Sequence, residues 1–304
     1  MRSLLKTMRL LPCVLLCCGF WWSGDKKLTE GTEAKFSADG RRIVFQRDID
    51  ARTSHIGIYD LEEGEVEWIR NGEGVACHPA WGPKDSVVYT YGNEKLTGFA
   101  ARAEKATTGY NLRIWRNGRE RALTKRRELD YAVSYSPVTG RLYFNSTDFP
   151  RRNSKGREMY DRVGIFSMEL KDGAEPVLVR LSDNGNSGSV SPSLSPDGRT
   201  FVWAERYGFW KIWQIAVAPV DRPDALTVLT PLTMAAYAPA WSPDGRTIAF
   251  TACGPDDDGW YVYLMDADGG NMTRLVKGRN PSFAPDGKSL VYDDGKSIYR
   301  RKLR

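Results

Sequence analysis

Trp241-Ser-Pro-Asp-Gly-Arg-Thr-Ile-Ala-Phe250 is the stretch on which the fold turns. Proline fixes φ at the first turn position, aspartate bonds its own backbone, and glycine accepts the left-handed conformation that reverses the chain. An alternating apolar run follows, so the segment reads as a β-hairpin. The pattern occurs five more times, as Phe36-Ser-Ala-Asp-Gly-Arg-Arg-Ile-Val-Phe45, Trp81-Gly-Pro-Lys-Asp-Ser-Val-Val-Tyr89, Tyr135-Ser-Pro-Val-Thr-Gly-Arg-Leu-Tyr-Phe144, Leu194-Ser-Pro-Asp-Gly-Arg-Thr-Phe-Val-Trp203 and Phe283-Ala-Pro-Asp-Gly-Lys-Ser-Leu-Val-Tyr292. The leading positions are 45, 54, 59, 47 and 42 residues apart. Three intact Pro-Asp-Gly triplets in register exceed what average Pro and Gly usage would give by chance.

Downstream of each hairpin lies a third strand, such as His55-Ile-Gly-Ile-Tyr-Asp60, Trp210-Lys-Ile-Trp-Gln-Ile215 or Trp260-Tyr-Val-Tyr-Leu-Met265. A polar turn and a fourth strand follow, as in Thr273-Arg-Leu-Val276. Four antiparallel strands in a period of about 45 residues describe a propeller blade. The expectation is an all-β, six-bladed propeller over residues 25–304, with blades near 31–70, 72–125, 128–182, 185–230, 234–276 and 278–304. The sixth repeat stops after its third strand, so Lys26-Lys-Leu-Thr29 is expected to close that blade beside the C-terminal strand. Such a latch removes free edges. A solenoid of six hairpins is the structural alternative.

The 304 residues are 41% hydrophobic and 27% charged, ordinary globular composition, and their 10 Trp, 14 Tyr and 11 Phe recur in short alternating segments that favour strands. Net charge is +6, but the first 24 residues hold Arg2, Lys6 and Arg9 and no acid, which leaves +3 for the remainder. No nucleic-acid-binding field is indicated. Three of the five cysteines, Cys13, Cys17 and Cys18, lie near the N-terminus, so Cys77 and Cys253 alone cannot build a disulfide framework or a metal cluster. They fall in opposite blades, and a bridge between them would have to cross the channel, farther than the roughly 7 Å a disulfide allows between Cα atoms.

Residues 1–24 read as an export leader. Three positive charges precede an apolar run over 10–20 that is too short to span a bilayer and suits a secretory signal. Leu15-Leu16-Cys17-Cys18 resembles a lipobox, which would make Cys18 the lipidated residue and attach the protein to a membrane; plain cleavage and an uncleaved anchor are the alternatives. Each places the domain outside the cytoplasm, periplasmic or envelope-attached.

The repeat of aromatic, Ser, Pro, Asp, Gly, Lys or Arg and then Ile-Ala-Phe resembles the propeller repeats of the TolB-like family of envelope proteins, over residues 25–304. The resemblance implies a propeller that binds other proteins, with partners such as a peptidoglycan-associated lipoprotein and inner-membrane Tol components. TolB carries an α/β domain before its propeller, whereas here about a dozen residues separate the leader from the first strand. Similar repeats accompany prolyl-oligopeptidase-type hydrolases, but Gly185-Asn-Ser-Gly-Ser189 departs from the Gly-x-Ser-x-Gly elbow in its last position. Propeller lyases of pectic sugars hold a metal with several histidines, and this chain has His55 and His78 only.

No catalytic residue, metal site or cofactor is therefore assigned, and the chain is read as a monomeric, non-catalytic binding protein of the envelope. Asp256-Asp-Asp258 is read as a solvated acidic loop because its spacing lacks the alternating ligands of a calcium loop. Long connections over 92–109 and 147–161 are expected on the face where the inner strands begin, where binding usually resides on a rigid scaffold. The candidate binding residues are His78, Tyr131, Asn186, Tyr237 and Asn280 near the channel mouth, with Arg151, Arg152, Lys155 and Arg157 as a basic rim suited to a carboxylate or phosphate. A carbohydrate hydrolase or lyase, needing two converging carboxylates, is the alternative function. A purely structural propeller is a third, and it predicts a channel face without concentrated charge.

Overall fold

The structure is a computed structural model that describes residues 24–92, 110–124, 129–147, 163–171, 174, 177–180, 188–207 and 212–303, together with the short strands Arg151–Arg152 and Glu158–Met159. Among these residues the sole helical element is the 3-10 turn Pro83–Asp85, and no helix is long and apolar enough to cross a membrane.

Four antiparallel sheets have four strands each. One runs Asp130–Ser136, Arg141–Ser146, Gly164–Glu169, Val177–Arg180; the next Ser189–Leu194, Thr200–Tyr207, Ile212–Pro219, Thr227–Val228; the third Ala235–Trp241, Thr247–Cys253, Tyr261–Asp266, Thr273–Lys277. In the fourth, Arg279–Phe283, Ser289–Asp293 and Ser297–Lys302 are completed by the N-terminal strand Lys26–Glu30, antiparallel to the C-terminal one. A fifth sheet has eight strands. Its two antiparallel runs, Thr32–Phe36 through Val66–Arg70 and Val75–Trp81 through Arg119–Ala122, are joined by one parallel pairing, Ser54 with Val75. The first strands of all these runs pack side by side in chain order, from Thr32–Phe36 to Arg279–Phe283, and the last packs back on the first. The architecture is an all-β, propeller-like ring.

The hairpins form for the reasons their residues suggest. Ser37 Oγ donates to Asp39 Oδ1 at 2.6 Å, and the Arg41 amide donates to the same carboxylate at 3.0 Å. Ser195 with Asp197 and Ser242 with Asp244 repeat the arrangement. The glycine that ends each turn sits at φ of 66° to 75° at positions 40, 140, 198, 245 and 287. The second repeat lacks that glycine, and Lys84 and Asp85 take the left-handed conformation instead, at 55° and 58°.

The aromatic that closes each quoted repeat is the core between sheets: Phe45, Tyr89, Phe144, Trp203, Phe250 and Tyr292 are all buried. Burying a side chain of this size contributes about 2–3 kcal/mol. The junction of the chain ends is braced as well, because Asp25 accepts from the Tyr292 hydroxyl at 2.7 Å and from Arg301 at 2.9 Å, and the Gly31 amide donates to the Lys296 carbonyl.

Three details differ from the sequence reading or refine it. In the third strand of the fourth repeat Trp210 and Lys211 lie outside the described residues, and pairing along Thr200–Tyr207 carries the strand past 215 to Pro219. The acidic loop is not wholly solvated. The Asp257 side chain is 3% exposed and accepts from the Gly254 amide, the Tyr263 hydroxyl and Arg274, so it braces a hairpin. Cys77 is buried, Cys253 half-buried, and both are free thiols.

Candidate functional site

Each first strand carries a β-bulge, at Thr32/Lys35, Cys77/Ala80, Tyr131/Ser134, Val190/Ser193, Tyr237/Ala240 and Arg279/Ser282. A bulge kinks its strand and re-aims a side chain. At every bulge one non-glycine residue is left-handed, namely Glu33, His78, Ala132, Ser191, Ala238 and Asn280, with φ between 50° and 55°. All six sit three residues before the leading aromatic or leucine of their repeat. They line a single axial cavity of about 440 Å³, together with Lys35, Ser193, Ala240, Ser282 and the aromatic rings of Phe36, Trp81, Trp241 and Phe283.

The left-handed turn aims a backbone N–H outward, and the neighbouring sheet supplies its acceptor. Asp293 Oδ2 receives the Glu33 amide at 3.0 Å, Gln46 Oε1 that of His78 at 2.8 Å, Asn145 Oδ1 that of Ser191 at 2.9 Å and Thr251 Oγ1 that of Asn280 at 2.9 Å. Each acceptor directly follows the buried aromatic of its own repeat. In these four bulges the clasp ties the strain to the contact between adjacent sheets. In the second repeat the same place holds Thr90, whose hydroxyl is buried without a hydrogen-bond partner among the described residues, and in the fourth it holds Ala204.

The cavity is chemically lopsided. One wall has Glu33, Lys35, His78 and Asn280, with Asp293 behind them, while the facing wall has Ala132, Ser134, Ser191, Ser193, Ala238 and Ala240. His78 Nδ1 lies 2.7 Å from Glu33 Oε2, and both side chains keep about a third or a quarter of their surface open to the channel. Burial disfavours the imidazolium, but the Glu33 carboxylate more than offsets it, and the His78 pKa is raised well above its ordinary value. Glu33 moves oppositely: burial pushes it up, and His78 with Lys35 pulls it below the usual carboxylate value. Burial lowers the Lys35 pKa against the pull of Glu33 and Asp293. Asp293 is pushed up to about 6, chiefly by burial and further by the Glu33 charge, against hydrogen bonds from the Glu33 amide, Asn280 and the Gly295 amide.

The signs follow. The pair's stabilisation is complete below the unfolded histidine value and is lost as pH rises through the raised His78 value; it is lost at the acid end as Glu33 protonates. Charged Asp293 costs stability above about pH 6, a cost relieved on its protonation. Only His55 and His78 titrate as histidines, and His55 is lowered by burial and by Arg47 and Arg70. An NMR titration should therefore give one histidine pKa on each side of the ordinary value. In Glu33→Gln the higher one should fall, since burial then acts almost unopposed; an unmoved His78 would refute the pairing.

Of the residues singled out from sequence, His78, Tyr237 and Asn280 line the cavity, and the Tyr131 ring lies 6.1 Å from the His78 ring. Asn186, Lys155, Arg157 and Cys18 lie outside the described residues, and Arg151 and Arg152 are described only as backbone paired with Met159 and Glu158. Glu33, Lys35 and Asp293 escaped the sequence reading. The signal existed: Glu33 stands three residues before Phe36 as His78 stands before Trp81, and Asp293 follows Tyr292 as Gln46 follows Phe45.

Known proteins share this ring. No family model matches the chain. The Tol-Pal system protein TolB of Francisella tularensis is 32% identical over 129 residues, 39% of this chain and 28% of the relative. An uncharacterized protein of Agrobacterium fabrum is 32% identical over 108 residues, 34% of this chain and 35% of its own length. The chain thus aligns with about a third or less of these curated relatives. Among solved structures, TolB from Acinetobacter baumannii superposes with a TM-score of 0.63 at 17% identity, over 88% of this chain and 65% of that one. A putative TolB from Agrobacterium tumefaciens gives 0.61 at 18% identity, over 91% of both chains. The fold is a TolB-like β-propeller. Enzymes use related rings too: a manganese-bound oligogalacturonate lyase superposes on the TolB-like propeller with a TM-score of 0.54 at 14% identity, over 91% of this chain and 90% of its own. At that identity the likeness concerns the fold alone.

Proposed function

We propose that this chain is an exported, non-catalytic protein of the cell envelope that receives a protein or peptide partner in its axial channel. The observation that carries the reading is the convergence of six strained, non-glycine residues, one from each first strand, on one cavity. Strain held at one register all round a ring is kept where the surrounding structure enforces it and where side chains must be aimed. In this reading the antiparallel runs are six blades, two of them sharing the Ser54–Val75 pairing, and residues 25–304 form one domain that acts as a monomer. The leader would direct export, with Cys18 the residue to carry lipid.

The concentrated charge of Glu33, Lys35, His78 and Asp293 speaks against a mere spacer. The two carboxylates there are committed, Glu33 to His78 and Asp293 to backbone and amide donors, rather than facing each other across open space as a glycosidase pair must. The relatives' names suggest a partner of the Tol-Pal kind, such as a peptidoglycan-associated lipoprotein. The basic segment with Arg151, Arg152, Lys155 and Arg157 is proposed as an outer contact for the same partner.

Affinity capture from solubilised envelope tests this with three baits: the native chain, Ala240→Trp to plug the cavity, and a variant with the four basic residues changed to alanine. Retention of one specific protein by the native bait and its loss with the plugged one is the expected result. Equal retention by both would place the partner elsewhere and sink the channel reading, and loss with the basic variant decides the outer contact.

A further inference from the structure

We infer that Lys35, backed by His78, forms a carboxylate-binding subsite in the channel, so that the occupant presents an acidic side chain or a free C-terminus there. The inference rests on the reading of the channel as a partner site and names the chemistry of what enters.

Two of the charges on this wall already have direct partners. Glu33 is held by His78 at 2.7 Å. Asp293 accepts from the Glu33 amide at 3.0 Å and from Asn280 Nδ2 at 2.9 Å through one oxygen, and from the Gly295 amide at 3.0 Å through the other. Lys35 stands two residues from Glu33 on the same strand and lines the same cavity, yet among the described residues no carboxylate lies within ion-pair distance of its ammonium. A half-buried ammonium without a direct partner is costly and attracts an anion. His78 spends Nδ1 on Glu33 and its ring is also hydrogen-bonded with the Cys77 side chain, so Lys35 is the direct contact and His78 adds charge behind it. Both cations belong to one wall.

The rest of the cavity limits the anion. Glu33 and His78 offset one another and Asp293 acts on Lys35 without a direct contact, so a singly charged carboxylate that pairs with Lys35 adds one negative charge, whereas a dianionic phosphate would add two beside two carboxylates. The facing wall of alanine and serine leaves room for a main chain, and the hydroxyls of Ser193 and Ser282 add donors. Beyond lie Phe36, Trp81, Trp241 and Phe283, a surface for the occupant's apolar side chains. An extended peptide with a carboxylate at one end of the contact and an apolar residue next to it matches this order.

The test uses the full chain in mild detergent, labelled with ¹⁵N-histidine, so that His78 reports on the channel and His55 serves as the internal reference. Three probes are titrated: acetyl-tetra-alanine with a free C-terminus, its C-terminal amide, and an amidated acetyl peptide with one internal aspartate. The acidic probes should move the His78 signals and leave His55 in place, the amide of tetra-alanine should move neither, and whichever acid binds identifies the source of the carboxylate. Lys35→Met should weaken that binding about tenfold or more, the loss expected of one charge-assisted hydrogen bond, while Lys35→Arg retains it. The inference is overturned if the neutral amide shifts His78 as the acids do, or if Lys35→Met binds the acids as well as the native chain. A partner captured by the native bait and lost with Ala240→Trp, combined with silent acid probes, would remove the carboxylate assignment and leave the binding reading standing.

Discussion

Asn145→Ala is expected to cost the ring about 3 kcal/mol of unfolding free energy, measured by denaturant titration. Asn145 is completely buried between two sheets. Its Nδ2 donates to the Ser189 carbonyl at 2.6 Å and its Oδ1 accepts the Ser191 amide at 2.9 Å. Alanine removes both bonds and takes the Asn145 donor from the buried Ser189 carbonyl, and leaving a buried polar group short of its partner costs about 1–3 kcal/mol. The small void adds to the loss. An exposed control, Val138→Ala, should change stability by less than about 0.5 kcal/mol. A cost for Asn145→Ala below about 1 kcal/mol would mean that the clasps are not what joins the sheets.

Gly278→Ala should be at least as damaging, at roughly 3–5 kcal/mol. Gly278 has φ of 154°, and a Cβ there would lie 2.4 Å from the Tyr292 ring and 2.8 Å from the Asp293 carbonyl oxygen. The ring could turn, but the carbonyl belongs to the strand whose Asp293 side chain clasps Glu33. The substitution therefore strains its own backbone and pushes on the contact that joins the last sheet to the first. Gly118→Ala is the informative comparison, because φ is positive there too, at 73°, but a Cβ meets nothing within 4 Å, so only the conformational cost of about 1 kcal/mol applies. Equal effects at the two positions would contradict the steric account.

The contrast between those glycines also explains what could be read before the fold was known. The turns were legible because their chemistry is local: Ser195, Asp197 and Gly198 complete their bonds within a few residues. The N-terminal strand could be placed because the last repeat lacked one. Glu33, Lys35 and Asp293 come together only through closure, since Glu33 and Asp293 are 260 residues apart. Their register within the repeat pointed to them, yet register alone does not tell a polar residue on the outer surface from one aimed at the axis. Asp257 illustrates the same limit, since an acidic run looks solvated until Tyr263 and Arg274 arrive from neighbouring strands. The basic segment over 151–157 has no repeat counterpart, so its composition could be read but not its placement.

Site-specific photo-crosslinking in cells that express the protein tests the central claim most directly. Benzoylphenylalanine would replace Ser193, on the channel wall, or Arg119, exposed on an outermost strand. A channel that receives a partner predicts a discrete adduct from position 193, absent from position 119 and lost when Ala240→Trp is added. An adduct from position 119 alone, or one from 193 that survives the plug, would contradict it.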